Sequence, residues 1–252
     1  MGAIPRNTSQ GYSFARIAPK GAPTVTVTLS IIIPVLNECD QIARTLDALA
    51  KFRHRGVEII AVDGGSADGT ADAAKNAGVK VITSPRGRAI QLNAGAAIAT
   101  GDVLAFLHGD TQLPDNADGL ITEALRDSTH QWGRFDTRFD SQKPMMRVVA
   151  AMMNFRSRIT GVATGDQCIF VRKNAFNAVG GFPKIALMED VALSKLLRAG
   201  SAPVCLRQTV TTSARRWDAN GVWRTIFTMW WLRLAYVIGV APDRLARWYG
   251  YR

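Results

Sequence analysis

The sequence predicts an α/β protein built on a mixed, mostly parallel sheet with helices on both faces. Two observations carry this. Apolar, β-branched runs too uniform for half-exposed strands alternate with amphipathic segments of helical period, and three of those runs end in acidic or glycine-rich turns. With 252 residues and 47% hydrophobic content, the chain is long enough to bury a full core as one domain.

The first run, 26–35, reads TVTLSIIIPV, the pattern of a central strand covered on both faces. Asn37 and Asp40 then offer capping groups for a helix over 41–52, in which Ile42, Leu46 and Leu49 share a face. Residues 57–62 make a second buried strand, a helix over 67–76 closes at Gly78, and 80–83 make a third strand. This order requires right-handed crossovers. A helix over 90–99 stops at Gly101, a strand covers 103–107, the polar turn His108-Gly109-Asp110-Thr111 follows, and 116–126 is helical. Beyond it the rhythm changes. Alternation over 133–139 predicts an antiparallel strand, 145–159 a methionine-rich helix and 167–171 a strand. Glu189 and Asp190 precede a helix that turns Val191, Leu193, Leu196 and Leu197 inward, and 222–240 is apolar and aromatic with only Arg224 and Arg233 charged. The chain therefore divides into a basic arm (1–28), an α/β domain (29–216) and an aromatic, basic helical segment (217–252) that packs on the domain or on a membrane surface.

Charge is unevenly placed. Residues 1–28 carry three basic groups and no acid, and 201–252 carry eight arginines against Asp218 and Asp243, so the two ends supply +9 of the net +11. Such a balance points to a polyanionic partner: a phosphorylated substrate, an anionic lipid or a nucleic acid. No nucleic-acid motif accompanies the basic tail, which argues against the last. The arm lacks the apolar stretch of a secretory signal, and Arg6 stands where a myristoylation signal needs Ser or Thr. Cys39, Cys168 and Cys205 are odd in number and have no metal-binding spacing, which points to a reducing, cytoplasmic compartment.

In open parallel sheets, ligands bind beyond the carboxyl ends of the strands. Three turns sit there: Pro34-Val-Leu-Asn-Glu38, the VDGGSADGT run at 62–70, and the 108–111 turn. Asp63 is placed to accept hydrogen bonds from a base or ribose, with Gly64 allowing close backbone approach; an Asx turn is the competing reading, above all for Asp68 with Gly69. Asp110 is a single carboxylate suited to Mg²⁺ or Mn²⁺, which take one or two protein carboxylates plus substrate phosphates. Arg88 offers bidentate phosphate contact, as do Arg215 and Arg216, although a solvated basic surface explains the same residues. The first loop holds no glycine, so it lacks the GxGxxG of a dinucleotide-binding oxidoreductase.

Taken together, PVLNE, VDGGSADGT, GRAIQLNAGAAIATGD, the H-G-D turn, GDQCIFVRK and GGFPKIALMEDVALSKLLRAG resemble the family 2 glycosyltransferases over about 29–216. The resemblance implies a GT-A type, Rossmann-like fold and an inverting transferase that uses a UDP- or GDP-linked sugar and a divalent metal. It assigns Pro34 and Glu38 to the first nucleotide-facing loop, Asp63 to the nucleobase, Asp110 to the metal and Asp190 to the catalytic base, with Glu189 as competitor. The first acid of the usual metal turn is His108 here, a residue that can itself ligate a Mn²⁺-like ion. Thr212 replaces the glutamine of the Gln-x-x-Arg-Arg-Trp element of processive synthases, so transfer of a single sugar is expected. The RxxQxN pattern at 88–93 is closest to a small bacterial subgroup assigned to arsenosugar-type or carotenoid-acid glycosylation. Five of six tryptophans fall at 217–248 among arginines, which favours an apolar or lipid-like acceptor, and an anionic membrane surface at the inner face. A non-catalytic nucleotide-sugar-binding relative is the alternative.

Overall fold

The computed structural model describes residues 27–127 and 129–250; the expected basic arm lies, up to residue 26, outside the described residues. One sheet of eight strands organises the chain, in the order β3-β2-β1-β4-β7-β6-β8-β5. Its first half is parallel: β1 (Leu29–Val35) lies between β2 (Glu58–Asp63) and β4 (Val103–Phe106), and β3 (Lys80–Thr83) lies outside β2. In the second half β7 (Ile169–Arg172) runs antiparallel to β4, followed by β6 (Trp132–Phe139), β8 (Val204–Thr212) and the short β5 (Thr111–Gln112).

Alternation along β1 builds two cores at once. Ile31 and Ile33 face α1 (Cys39–His54) and α4 (Ala117–Ala124), whereas Ile32 faces α3 (Arg88–Ile98). All three isoleucines are fully buried, each stabilising the fold by roughly 1.5–3 kcal/mol relative to exposure. The close seating of α3 depends on Gly95, where a Cβ would come within 2.5 Å of Ile32 Cγ2 and 2.9 Å of Val62 Cγ2. Further helices are α2 (Thr70–Asn76), α5 (Pro144–Thr160), α6 (Lys173–Ala178) and α7 (Glu189–Gly200). At the carboxyl end, α8 (Arg215–Asn220) leads into α9 (Val222–Val237) and α10 (Pro242–Tyr249). Leu232 and Ala235 of α9 pack with Leu245 and Ala246 of α10 on Leu187, Met188 and Val191 at the start of α7.

Several expectations need correction. Neither Asn37 nor Asp40 caps α1: Glu38 is the N-cap residue, without a side-chain cap, and Asn37 adopts φ 52° so that its Oδ1 accepts the Ala67 N–H at 2.9 Å. The second helix starts at Thr70 because 66–69 is a loop bonded to the first turn. β6 is antiparallel to β7 over only two residue pairs and parallel to β8 over seven, with a bulge between Phe135 and Asp136. β8 itself escaped the sequence reading, since Arg207 and Gln208 interrupt its apolar pattern. Leu196 is 41% exposed, so it does not share the buried face of Val191, Leu193 and Leu197.

Candidate active site

The carboxyl ends of β1 and β4 and the amino end of α7 converge on two adjoining cavities of about 580 and 700 Å³, which share Pro34, Glu38, Arg88, Glu189 and Arg216. The smaller also holds His108, Asp110, Asp166, Asp190 and Arg215. The larger extends between the start of α3 and Lys184 to Ala186.

Backbone hydrogen bonds set the first loop. The Glu38 carbonyl accepts the N–H groups of Gln41 and Ile42 at 3.0 and 2.8 Å, and its own N–H donates to Thr70 Oγ1 at 2.8 Å. Its carboxylate lies against Gly109, where no Cβ would fit. Burial, then the neighbouring Asp110 charge, push the Glu38 pKa above the usual carboxylate value, against the opposing effect of His108, Arg215 and Arg88. Thr45 of α1 anchors the 108–111 turn by donating to the Gly109 carbonyl at 2.6 Å.

Asp63 and Gly64 border none of the cavities described. Asp63 is 4% exposed, and its oxygens accept the Gly65 N–H at 3.0 Å, the Ser66 N–H at 3.1 Å and the Ser66 hydroxyl at 2.5 Å. It is thus the acceptor of an Asx turn that shapes its own loop. Gly64 makes room for the Gln91 amide, which donates to the Val35 and Val62 carbonyls at 2.9 and 2.8 Å and so ties the ends of β1 and β2 together. Asn93 exchanges bonds of 2.8 and 2.9 Å with the Phe182 backbone. Of the RxxQxN pattern, Gln91 and Asn93 are structural and Arg88 faces the cavities, with its Nη1 3.7 Å from Glu189 Oε1.

The acid pair at α7 is split by its surroundings. Glu189 is 4% exposed, and burial, then the Asp190 charge, raise its pKa against the pull of Arg88. Asp190 is half-buried and open to the cavity; its Oδ2 accepts the Gly165 N–H at 2.7 Å and its Oδ1 the Val191 N–H at 2.7 Å. Arg233 of α9 lines the same cavity. Burial lowers its pKa, and the charges of Asp190 and Asp166 oppose that shift. Arg156 of α5 lies behind, pushed down to about 10 by burial and by Arg233. In the sequence Arg233 is only one of two charges in an apolar, aromatic segment; its place in the cavity is invisible there because nothing local says which way α9 turns.

His108 has an ion-pair partner of its own. Its Nδ1 is 3.3 Å from Asp166 Oδ1, and its Nε2 edge abuts Gly165, where a Cβ would overlap the ring. The imidazole thereby ties the end of β4 to the 165–166 turn, and its ring borders the same cavity as Asp110. Asp110 remains part-exposed, 3.9 Å from Arg215 Nη2. No cluster of three or more His, Cys, Asp or Glu side chains suited to a metal exists among the described residues. A lone accessible carboxylate fits Mg²⁺ or Mn²⁺ only where substrate phosphates and water complete the shell.

A parallel half joined to a mixed half, with acids gathered at the strand ends, is the GT-A architecture of nucleotide-sugar transferases. The chain belongs to glycosyl transferase family 2, whose sequence profile matches residues 30–180. A Mycobacterium tuberculosis protein named as a PGL/p-HBAD biosynthesis glycosyltransferase is 36% identical over 109 residues, 40% of this chain and 42% of that protein. The match thus spans about two fifths of that relative's length. Among solved structures, a mannosyltransferase from Pyrobaculum calidifontis in complex with GDP-Man and Mn²⁺ aligns over 75% of this chain and 57% of its own, with TM-score 0.59 and 19% identity. Glucosyl-3-phosphoglycerate synthase from M. tuberculosis, with Mn²⁺, UDP and glucosyl-3-phosphoglycerate, aligns over 73% and 70%, with TM-score 0.55 and 18% identity.

Proposed function

We propose that this chain transfers a single sugar, with inversion, from a UDP- or GDP-linked donor to a hydroxyl or carboxyl of an apolar or membrane-associated acceptor. The observation that carries the proposal is Asp190: a half-buried carboxylate held by two backbone N–H groups and open to the cavity that also contains Asp110, Arg88, Arg215 and Arg216. Inversion needs one displacement at the anomeric carbon, a base for the acceptor proton and stabilisation of the departing diphosphate. Asp190 takes the proton from an acceptor hydroxyl; an acceptor already ionised as a carboxylate needs no such step. Arg88, Arg215 and Arg216 bind the diphosphate through charge-assisted hydrogen bonds. The loop after Pro34 faces the nucleoside, and the Asp63 turn backs that loop through Ser66 and Ala67. A Mg²⁺ or Mn²⁺ ion held by Asp110 would neutralise diphosphate charge when bound. The solved relatives with nucleotide sugar or nucleotide and Mn²⁺ support this donor class.

Thr212, at the glutamine position of the processive element, supports transfer of one sugar. Met153, Met229, Trp230 and Leu232 on the cavity wall support an apolar acceptor, and between the two subgroup labels they favour carotenoid-type acids over arsenosugars. Three free cysteines suit a cytoplasmic protein at the inner face of a membrane. The engagement of His108 with Asp166 favours the second reading, a nucleotide-sugar binder without activity. A thermal-shift panel of nucleotide sugars with and without Mn²⁺ tests donor binding, since saturation at 100 times Kd adds about 2.7 kcal/mol of apparent stability. Donor hydrolysis without acceptor then separates enzyme from binder. If no nucleotide sugar raises the melting temperature, the donor assignment is wrong; binding without hydrolysis or transfer leaves the binder.

A further inference from the structure

The helices that wall the 580 Å³ cavity have a second face. Met153 of α5 and Met229, Leu232 and Arg233 of α9 point into the cavity. Away from it, α5 carries Val148, Met152, Phe155 and Ile159 at spacings of four, three and four, a single helical stripe. α9 carries a matching stripe of Trp223, Phe227, Trp231, Leu234 and Val237. These nine side chains are 51% to 72% exposed, far beyond the scattered apolar exposure normal on a soluble surface. Trp248 of α10 extends the α9 stripe, its ring centroid 6.5 Å from that of Trp231.

We propose that the outer faces of α5 and α9, continued by Trp248 of α10, form one docking surface for an anionic lipid bilayer, with the cavity that holds Asp190 opening beside it. Charge selects the occupant. α5, α9 and α10 together carry seven arginines and one acid, Asp243, and Arg147, Arg224, Arg244 and Arg247 are exposed on them. A second copy docked on this face would bring arginines against arginines, and the 1–28 arm has the same sign. Anionic headgroups complement it, and tryptophan and arginine side by side suit the interface between headgroups and acyl chains. No helix of the described residues is long and apolar enough to cross a membrane, so these helices lie in the surface plane. Delivery of an acceptor from the lipid into the cavity rests on the transferase reading above; the docking itself does not.

The test is co-sedimentation of the full chain with vesicles of phosphatidylcholine alone and of phosphatidylcholine mixed with phosphatidylglycerol, at low and high salt. The protein is expected to bind the mixed vesicles, less so at high salt. Phe155→Ser with Ile159→Ser on α5, and separately Phe227→Ser with Val237→Ser on α9, are each expected to weaken binding about tenfold or more. All four side chains are exposed, and an unchanged melting temperature in each variant shows the fold intact. Wild-type protein that stays in the supernatant with mixed vesicles overturns the proposal, as do folded variants that bind like wild type. A stable dimer in light scattering that both variant pairs dissolve, without vesicle binding, assigns the face to self-association instead. Thermal response to nucleotide sugars, followed in parallel, keeps the two readings apart: loss of that response with docking intact counts against the transferase alone.

Discussion

The two sides of the cavity are built by opposite means. On the side formed by the loops after β1 and β4, with the loop after β2 behind them, polar groups are held by neighbouring loops: Asn37 bonds to Ser66 and Ala67, Asp68 to Cys39 and Thr70, and Gln91 to the ends of β1 and β2. On the side formed by α5 and α9, the wall is methionine, leucine and tryptophan with Arg233 and Thr225 among them, and the outer faces of both helices are uncovered. A hydrogen-bonded frame suits an invariant ligand, whereas polarizable, adaptable side chains suit one that varies or arrives from an apolar phase. The division matches a nucleotide-sugar donor on one side and an apolar acceptor on the other.

Where the two sides meet, at Asp190, the largest effect is expected. Asp190→Asn should lower turnover by 10²–10⁴-fold, about 3–5 kcal/mol of barrier, with donor affinity nearly unchanged. If Glu189→Gln loses turnover while Asp190→Asn keeps it, the roles of the pair are exchanged; if neither slows transfer, the acceptor is a carboxylate or the base lies elsewhere. Gly165→Ala probes the same junction from beneath, because the added Cβ overlaps His108 and displaces the N–H that holds Asp190. It should cost roughly 1–3 kcal/mol of stability by overpacking and also slow transfer.

On the framed side, Gln91→Ala removes a donor from the Val62 carbonyl and leaves the Val35 carbonyl with the Gly64 N–H alone, at about 1–3 kcal/mol in denaturant unfolding; a cost near zero would mean the frame does not depend on this clamp. Asp110→Ala should leave melting unchanged yet remove the Mn²⁺ dependence of diphosphate affinity in calorimetry. Equal affinity with Mn²⁺, with chelator and in the variant would falsify the metal assignment. The smallest effect concerns pH. Glu38 is raised from 4.5 by burial and by Asp110, so the folded state binds its proton more tightly than the unfolded chain does. Its ionisation therefore opposes folding, and its contribution to stability falls as pH climbs from 4.5 through the raised value. Glu38→Gln should flatten that slope in unfolding curves measured across the window.

The parallel half was legible because β1, β2 and β4 are buried on both faces and must read as apolar runs, with turns at their ends that only a few residue types can form. Those turns and the helix start at Glu189 mark Pro34, Glu38, Asp110 and Asp190, all of which line the 580 Å³ cavity. Arg88, His108, Arg215 and Arg216 also reach the cavities, while Asp63 and Gly64 turn to neighbouring loops, a distinction no local pattern records. β8 was hidden since Arg207 and Gln208 sit on exposed positions of a bulged pairing, and the parallel register of β6 with β8 joins segments far apart in sequence.

By itself, then, the sequence determined the alternation of strands and helices, the three ligand-side turns and the aromatic, basic character of the carboxyl end. These depend on period, side-chain size and local backbone chemistry, which neighbouring residues settle among themselves. Tertiary structure alone decided that Arg233 enters the cavity beside Asp190, that His108 pairs with Asp166, and that α5 and α9 turn one face to the site and the other to the surroundings. Each of those outcomes depends on how an element sits against one distant in sequence; for α9 the rotation is set by Leu232, Ala235 and Leu245 finding Leu187, Met188 and Val191.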